Sequence, residues 1–598
     1  MWLQLNCQMK AMDTDNDSPW GTQKSYIVIF ICHFLGITNI STMPNDALLQ
    51  GAFGFSIVLM IVYIIMGIPL LYVESIVGQF TSRDCIDVWR IRPCLSFIGY
   101  LLIIWQAFTL IYNHIVSAFL LHYFLISFET PIPFYTCGLW STKFCNTLVS
   151  NYTVNLDCVK NQNIFPYCDH LYKTFPEYQY WRLNLVQSGH KCNFCIAWRV
   201  CLASGLNCIA IFLSCFKRSK SLKWVINIFF GFPILTLAIL LMGSMRQQGL
   251  VAKYEDAIDI DFTIFAHNFR FSSVIQNVMF NLGIGSGLTF NLASSAPFRS
   301  PSFSNTVVTV MTCAVYTIIV IFTMAMVTCP YAFKYGPDAG DIIRTHMSFA
   351  FEKIPRLIYE YQDKMFYLII IYTCFFIIAI NSNFVLFYNL LEVIFKRNPK
   401  LAKYPGLTVF CASLMLYILT IPLLSYVGVN LLAYSFKRHL TLISTFVGVL
   451  ECVTFVFWYG MNRFSEDINF MVGIRPNSFM KVGWGLSILF LIYSFCYEVH
   501  DHLENSKKFI YSTYTVLVFS GLIVIVTVVR LVIAAIKRRF REFIALDKTW
   551  GPKDEILQRS RGMFSAQAMT KEYIYRQYHL QAGILHRQRR SNIRSPLR

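Results

Sequence analysis

Asn39 stands with Gly36, Thr38, Ser41 and Pro44 inside an otherwise apolar stretch, Tyr26 to Leu49 (YIVIFICHFLGITNISTMPNDALL), with no charge before Asp46. A second apolar stretch, about 271 to 296, reads FSSVIQNVMFNLGIGSGLTFNLASSA and sets Gly283, Gly285 and Gly287 beside Asn281 and Ser286. Each glycine costs about 1 kcal/mol in a helix interior relative to alanine, so three at alternate positions are placed to unwind backbone. In hydrocarbon an unpaired backbone group costs several kcal/mol, and a broken helix survives there only where it lines a protein-buried, hydrated cavity. The chemistry on offer is therefore non-covalent: freed carbonyls and short polar side chains that can hold a hard cation beside a small polar guest. Kinked helices packed through small residues are the competing account.

Other residues with chemical potential fit this picture or stand apart from it. Glu74, within GIPLLYVESIVGQF, is an ionisable residue inside an apolar span; it either serves function directly or holds the neighbouring broken helix. His114 and His122, roughly two turns apart on one span, read as helix-packing polar groups. No nucleophile with a convergent base, no metal-ligand spacing and no phosphate-cradling loop is evident, so the chain is not expected to be an enzyme.

The elements that must carry these residues follow from composition. Of 598 residues, 56% are hydrophobic and 14% charged, against about 25% charged in soluble domains. The chain reads as an all-α polytopic membrane protein. Apolar windows of roughly 20 residues fall at about 25–47, 53–77, 97–128, 195–214, 222–243, 271–296, 304–329, 364–395, 406–426, 440–461, 480–497 and 510–536, giving twelve transmembrane helices. The broken spans are the first and the sixth, matching positions of two five-span halves, and that arrangement predicts an inverted repeat with a site at the bilayer midplane.

The net charge of +19 is read by location. Arg and Lys gather in alternate connections (Arg83, Arg90 and Arg92; Lys217, Arg218, Lys220 and Lys223; Lys396, Arg397, Lys400 and Lys403; Arg463 and Arg475) and in the tail after Lys537. These loops and both termini are assigned to the cytoplasm. The basic tail could add membrane attraction, or simply be solvated. Nucleic-acid binding is disfavoured because no basic segment is interleaved with a soluble fold; the expected partners are the lipid bilayer and a small molecule. No cleaved signal peptide is recognised, and the first span is expected to act as its own signal.

The organisation read from these features is a cytoplasmic segment 1–24, a first five-helix repeat 25–243 containing an outer loop 129–193, a second repeat 271–461, helices 11 and 12 at 480–536, and a cytoplasmic tail 537–598. In or bordering the outer loop are Cys137, Cys145, Cys158, Cys168, Cys192 and Cys195, together with the sequon at Asn151. Clustered cysteines on the non-cytoplasmic side read as disulfides, with Cys137–Cys145 favoured for proximity among many pairings. Asn151 is a glycosylation acceptor. The Cys192–Cys195 spacing admits metal, but no histidine stands at finger spacing. A second outer loop, about 330–361, is amphipathic enough to form a helical lid.

Asn39 with Pro44, GAFGF, GIPLLYVESIVGQFTSRDCIDVWR, the IGY of Ile98 to Tyr100, Tyr112-Asn113, the Cys137 and Cys145 pair, FNLGIGSG and ECVTFVFWYG together carry a family likeness. The chain resembles the sodium- and chloride-dependent neurotransmitter and amino-acid symporters, as a divergent member with their LeuT-type 5+5 inverted repeat and discontinuous helices 1 and 6. The resemblance implies a symporter importing a small zwitterion, an amino acid, across the plasma membrane by alternating access. The rival is a non-transporting relative acting as a substrate sensor or trafficking partner.

By that resemblance one sodium ion would sit among the Phe34 carbonyl, Asn39, Asn281 and Cys313. The family has Ser or Thr at the third position and Asn at the fourth, and a thiol is a poor ligand for a hard ion. A second sodium would use carbonyls of Cys32, Leu35 and Ile378 with side chains of Asn381 and Ser382. For chloride, the family's tyrosine aligns with Leu59 and its glutamine with Asn277, so weak or absent chloride dependence is expected. The substrate would meet Gly36, where monoamine carriers have an aspartate, together with Tyr112, Phe280 and Ser286. The outer gate lacks its charges: Thr42 replaces the Arg, and its partner falls at Phe436 or Lys437. At the inner gate both signs are reversed, which implies a swapped pair of Asp17 with Lys396.

Overall fold

The computed structural model describes residues 22–143, 145, 175–187, 195–247, 254–255, 258–260, 262–335, 348–430, 437–504 and parts of 525–564. Among these residues the secondary structure is helical, without strands. That is the expected solution in a bilayer, because a helix satisfies its backbone within one segment.

The chain begins with α1 (Gln23–Phe34), capped by Thr22, whose hydroxyl accepts from the Ser25 N–H. After the break, a π-turn at Thr38–Thr42 leads into α2 (Met43–Gln50), and the two halves bend by 49°. There follow α3 (Ala52–Thr81), α4 (Ile98–Ile126), α5 (Trp198–Cys215) and α6 (Ser219–Ser244). The sixth span is divided into α7 (Phe271–Asn281) and α8 (Leu288–Ala293). Then come α9 (Ser302–Tyr335), α10 (Lys364–Arg397), α11 (Pro405–Thr420), α12 (Leu440–Trp458), the short α13 (Met461–Val472) and α14 (Ser478–Glu504). Nine helices among the described residues are long and apolar enough to cross a membrane, ten with α1 and α2 taken as one broken span. The divided α7–α8 span occupies the sixth expected position, while the expected twelfth span lies mostly outside the described residues.

Burial separates the helices into two shells. α10 is buried along most of its length and packs on α4 and α6, whereas α11 shows lipid-type exposure at Leu407, Met415 and Ile418. Polar residues of the inner helices therefore face protein rather than hydrocarbon, which is where membrane helices can carry them. Between the spans, short helices at 176–185 and 349–358 are joined by two ion pairs, Arg182–Glu352 at 3.3 Å and Arg356–Glu177 at 3.7 Å. The helix at 349–358 also reaches α2, where Lys353 Nζ donates to Asn45 Oδ1 at 2.5 Å. Cys137 and Cys145 are joined by a disulfide, and Cys195 is disulfide-bonded as well. Asn151, Cys158, Cys168 and Cys192 lie outside the described residues.

Candidate functional site

Both predicted breaks are present. At the first, α1 stops at Phe34 and the chain turns through Leu35 and Gly36. The freed Phe34 carbonyl accepts from Asn39 Nδ2 at 2.8 Å. At the second, Gly283, Gly285 and Gly287 adopt φ of 58°, 72° and 78°, the left-handed region open to glycine. Gly285 is required twice over, since a Cβ there would lie 2.5 Å from the Ser444 carbonyl of α12. Its N–H donates to Glu74 Oε1 at 2.7 Å, so the buried carboxylate on α3 holds the unwound turn. The Glu451 side chain of α12 lies against that of Glu74.

Asn39 and Asn281 meet across the two breaks, with Asn39 Nδ2 donating to Asn281 Oδ1 at 2.7 Å. Asn39 Oδ1 accepts from the Thr317 hydroxyl of α9 at 2.7 Å, and Asn281 Nδ2 donates to the Tyr63 hydroxyl at 2.5 Å. The carboxamide nitrogen of Asn39 thus occupies the position between the Phe34 carbonyl and Asn281 where the resemblance puts a cation. Cys313 is fully buried at the same level of α9, and its carbonyl accepts from Thr317. A hard ion entering here must displace the Asn39 amide from two oxygens, and the remaining predicted ligand, Cys313, offers only a thiol.

The second predicted cluster differs. Asn381 Oδ1 is buried without a hydrogen-bond partner, and the Ser382 hydroxyl lies 3.5 Å from His33 Nδ1. An orphaned carboxamide oxygen next in the chain to Ser382, which reaches α1 at His33, fits a cation, because that group otherwise carries its full desolvation penalty. The carbonyl-bearing residues Cys32, Leu35 and Ile378 are buried on the facing segments of α1 and α10, which pack together.

A narrow cavity lies between the breaks. Gly36, Phe280 and Asn281 line it, as do Thr38, Gly283 and Ser382. Tyr112 is half-buried on α4 and is not among the lining residues, and neither is Ser286, whose hydroxyl donates to the Gly283 carbonyl. From α4 the cavity receives Trp105, Thr109 and Asn113 instead, one helical turn apart. His33, in the last turn of α1, supplies the one ionisable side chain of the lining. Asn113 entered the sequence reading only through the Tyr112-Asn113 match, and His33, Trp105 and Thr109 were not singled out there.

At the chloride-related positions, Leu59 is fully buried and Asn277 Nδ2 donates to Asp46 Oδ2 at 2.7 Å. A π-turn at Tyr63–Gly67 inserts a residue into α3, and the Tyr63 hydroxyl, one turn past Leu59, reaches the Asn281 cluster. At the gates, Asp17 and Phe436 lie outside the described residues, as does the side chain of Lys437. Lys396 Nζ donates to the Ser294 hydroxyl at 3.0 Å. Its neighbour Arg397 bonds Asp84 at 3.1 Å and Asp87 at 2.9 Å, tying α10 to the loop after α3.

A model of the sodium:neurotransmitter symporter family matches residues 17–542. The chain is similar to the sodium- and chloride-dependent glycine transporter 1 of Xenopus laevis, 21% identical over 477 residues covering 78% of this chain and 75% of that one. It is 23% identical over 488 residues to the human sodium- and chloride-dependent neutral and basic amino acid transporter B(0+), covering 76% of this chain and 75% of that protein. The Xenopus laevis glycine transporter 2 is 22% identical over 497 residues, covering 78% and 62%.

Proposed function

The chain belongs to the sodium:neurotransmitter symporter family, and from that premise we propose that it imports a small zwitterionic amino acid together with sodium by alternating access. The observation that carries the reading is the pair of helix breaks lining one cavity, with Ser382, next in the chain to the orphaned Asn381 oxygen, in its wall. In this reading 25–243 and 271–461 are the halves of an inverted repeat, in the plasma membrane with both termini cytoplasmic.

The second sodium cluster, Cys32, Leu35, Ile378, Asn381 and Ser382, is the working ion site in this proposal. The first, with Asn39 bonded to Asn281 and Cys313 beside it, contributes little binding. One sodium crossing about 70 mV supplies roughly 1.6 kcal/mol, a little over tenfold accumulation before its concentration gradient is counted. Chloride dependence is weak or absent, because Asp46 takes the Asn277 amide that an anion would need. Tyr63 replaces the missing hydroxyl only by bonding Asn281. The inner gate pairs Asp17 with Lys396, and Asn151 carries a glycan.

The closed Asn39–Asn281 contact also favours a second reading, a substrate sensor that binds without translocating. Labelled amino-acid uptake in cells, with sodium replaced by an impermeant cation, separates the two. Sodium-dependent accumulation supports the symporter, whereas binding with no accumulation supports the sensor.

A further inference from the structure

The unwound turn of the second break is held from two sides. On one, Glu74 of α3 takes the Gly285 N–H. On the other, Gln106 of α4 donates its Nε2 to the Ser286 carbonyl at 2.7 Å, and its Oε1 accepts from Asn389 Nδ2 of α10 at 2.6 Å. The turn also rests on α4 directly, since a Cβ on Gly287 would lie 2.9 Å from Leu102 Cδ1. Gln106, Ser286 and Asn389 are all buried, and none of them lines the cavity. This chain of two hydrogen bonds acts on the turn and not on a guest.

Its direction is fixed. Ser286 offers Gln106 only a carbonyl oxygen, so Gln106 must turn its amide nitrogen toward the break and its oxygen toward Asn389. Reversing either carboxamide would set oxygen against oxygen out of reach of water, at the full desolvation cost of each group. The far end of the chain belongs to the helix that carries the second ion cluster. Asn389 follows Asn381 and Ser382 by about two turns on α10, which runs without interruption from Lys364 to Arg397. A shift or rotation of α10 at Asn381 and Ser382 therefore carries Asn389 with it.

We propose that Gln106 is the positioning residue that couples the second break to the ion cluster on α10. A sodium ion at Asn381 and Ser382 sets α10, and the Asn389–Gln106 chain then sets the Ser286 carbonyl and the turn around it. This rests on the symporter reading for the presence of an ion at that cluster and adds how its binding is felt in the sixth span. Hydrogen-bond chains between rigid elements carry coupling of this kind. Removing the middle member leaves both ends in place and unconnected.

Hydrogen exchange of the full chain purified in detergent, in sodium chloride or in choline chloride at equal concentration, reads both ends at once. In wild type, sodium should slow exchange at least about fivefold in segment 376–386 of α10 and in segment 282–290 of the break, with the same half-maximal sodium concentration for both. Gln106→Met keeps the length and loses both contacts, whereas Asn389→Leu loses the α10 end alone. In each variant protection of 376–386 should remain, and that of 282–290 should fall to less than about half its wild-type value. Full sodium protection of 282–290 in a folded variant overturns the proposal, as does a wild-type turn that ignores sodium or responds at a different concentration from α10. Loss of protection at 376–386 in the variants also overturns it, because the chain would then be part of the ion site. If neither variant folds, the wild-type concentrations decide. A wild type that shows the shared protection but accumulates no labelled amino acid would remove the symporter reading and leave the coupling standing.

Discussion

Asn39 and Asn281 are bonded at 2.7 Å across the two broken helices, 242 positions apart in the chain. This contact joins the first break directly to the second. A carboxamide nitrogen there satisfies the oxygens that would otherwise hold a cation, and the remaining predicted ligand, Cys313, is a soft sulfur. Cys313→Asn is therefore expected to create a hard-oxygen site. The apparent affinity for sodium, read from the sodium dependence of uptake, should rise several-fold, and an unchanged value would show that the first cluster cannot be repaired by that ligand alone.

At the second cluster, Asn381→Leu removes the orphaned oxygen while keeping the volume. Folding should be preserved or improved, because an unpaired buried acceptor costs about 1–3 kcal/mol, whereas sodium-dependent uptake should fall to background. Surface labelling alongside uptake checks both halves.

Glu74 is the acceptor for the Gly285 N–H at 2.7 Å inside the membrane core. Glu74→Gln retains an oxygen for that N–H, while Glu74→Leu leaves it unpaired. The leucine variant should lose about 1–3 kcal/mol more than the glutamine variant, measured as the difference in detergent unfolding temperature converted at the midpoint.

Outside the membrane, burial pushes the Glu352 carboxyl up from 4.5 to about 7, with the nearby Arg182 guanidinium and the Ser348 N–H opposing the rise. Because the folded form holds the proton more tightly than the unfolded chain, it binds more protons between those values, and stability falls as pH rises through that window. The contribution is full below about 4.5 and lost above about 7. Glu352→Gln should flatten the dependence of unfolding temperature on pH across this range; an unaltered slope would assign it to other groups.

At the C-terminal end of α10, Arg397 joins Asp84, which is 3% exposed, to Asp87, which is 29% exposed. With the partly exposed share discounted for solvent screening, Arg397→Ala should cost about 1–2 kcal/mol and loosen the inner end of α10. Increased labelling of a cysteine introduced at Ser294 would report the loosening. No increase would place the inner closure elsewhere, for instance at Asp17 and Lys396.

The spans, both breaks and the Cys137–Cys145 disulfide were legible in the sequence because each depends on local information: apolar run length, glycines where a helix should continue, and two cysteines close in the chain. Glu74 was legible for the same reason, as a charge where none is expected. The partners of these groups were not. Tyr63 enters the Asn281 cluster through a π-turn that shifts α3 by a residue, and no spacing rule announces it. Trp105, Thr109 and Asn113 face the cavity where Tyr112 was expected, a choice of helix rotation made by packing against α10 and α5. Asp46 meets Asn277, and Lys353 meets Asn45, only because the bent first span carries α2 under the outer helix. Sequence by itself determined where the backbone must leave the helix, since that is a cost each residue pays in place. Tertiary structure decided what fills the space so opened, since this depends on rotation and register among helices distant in the chain.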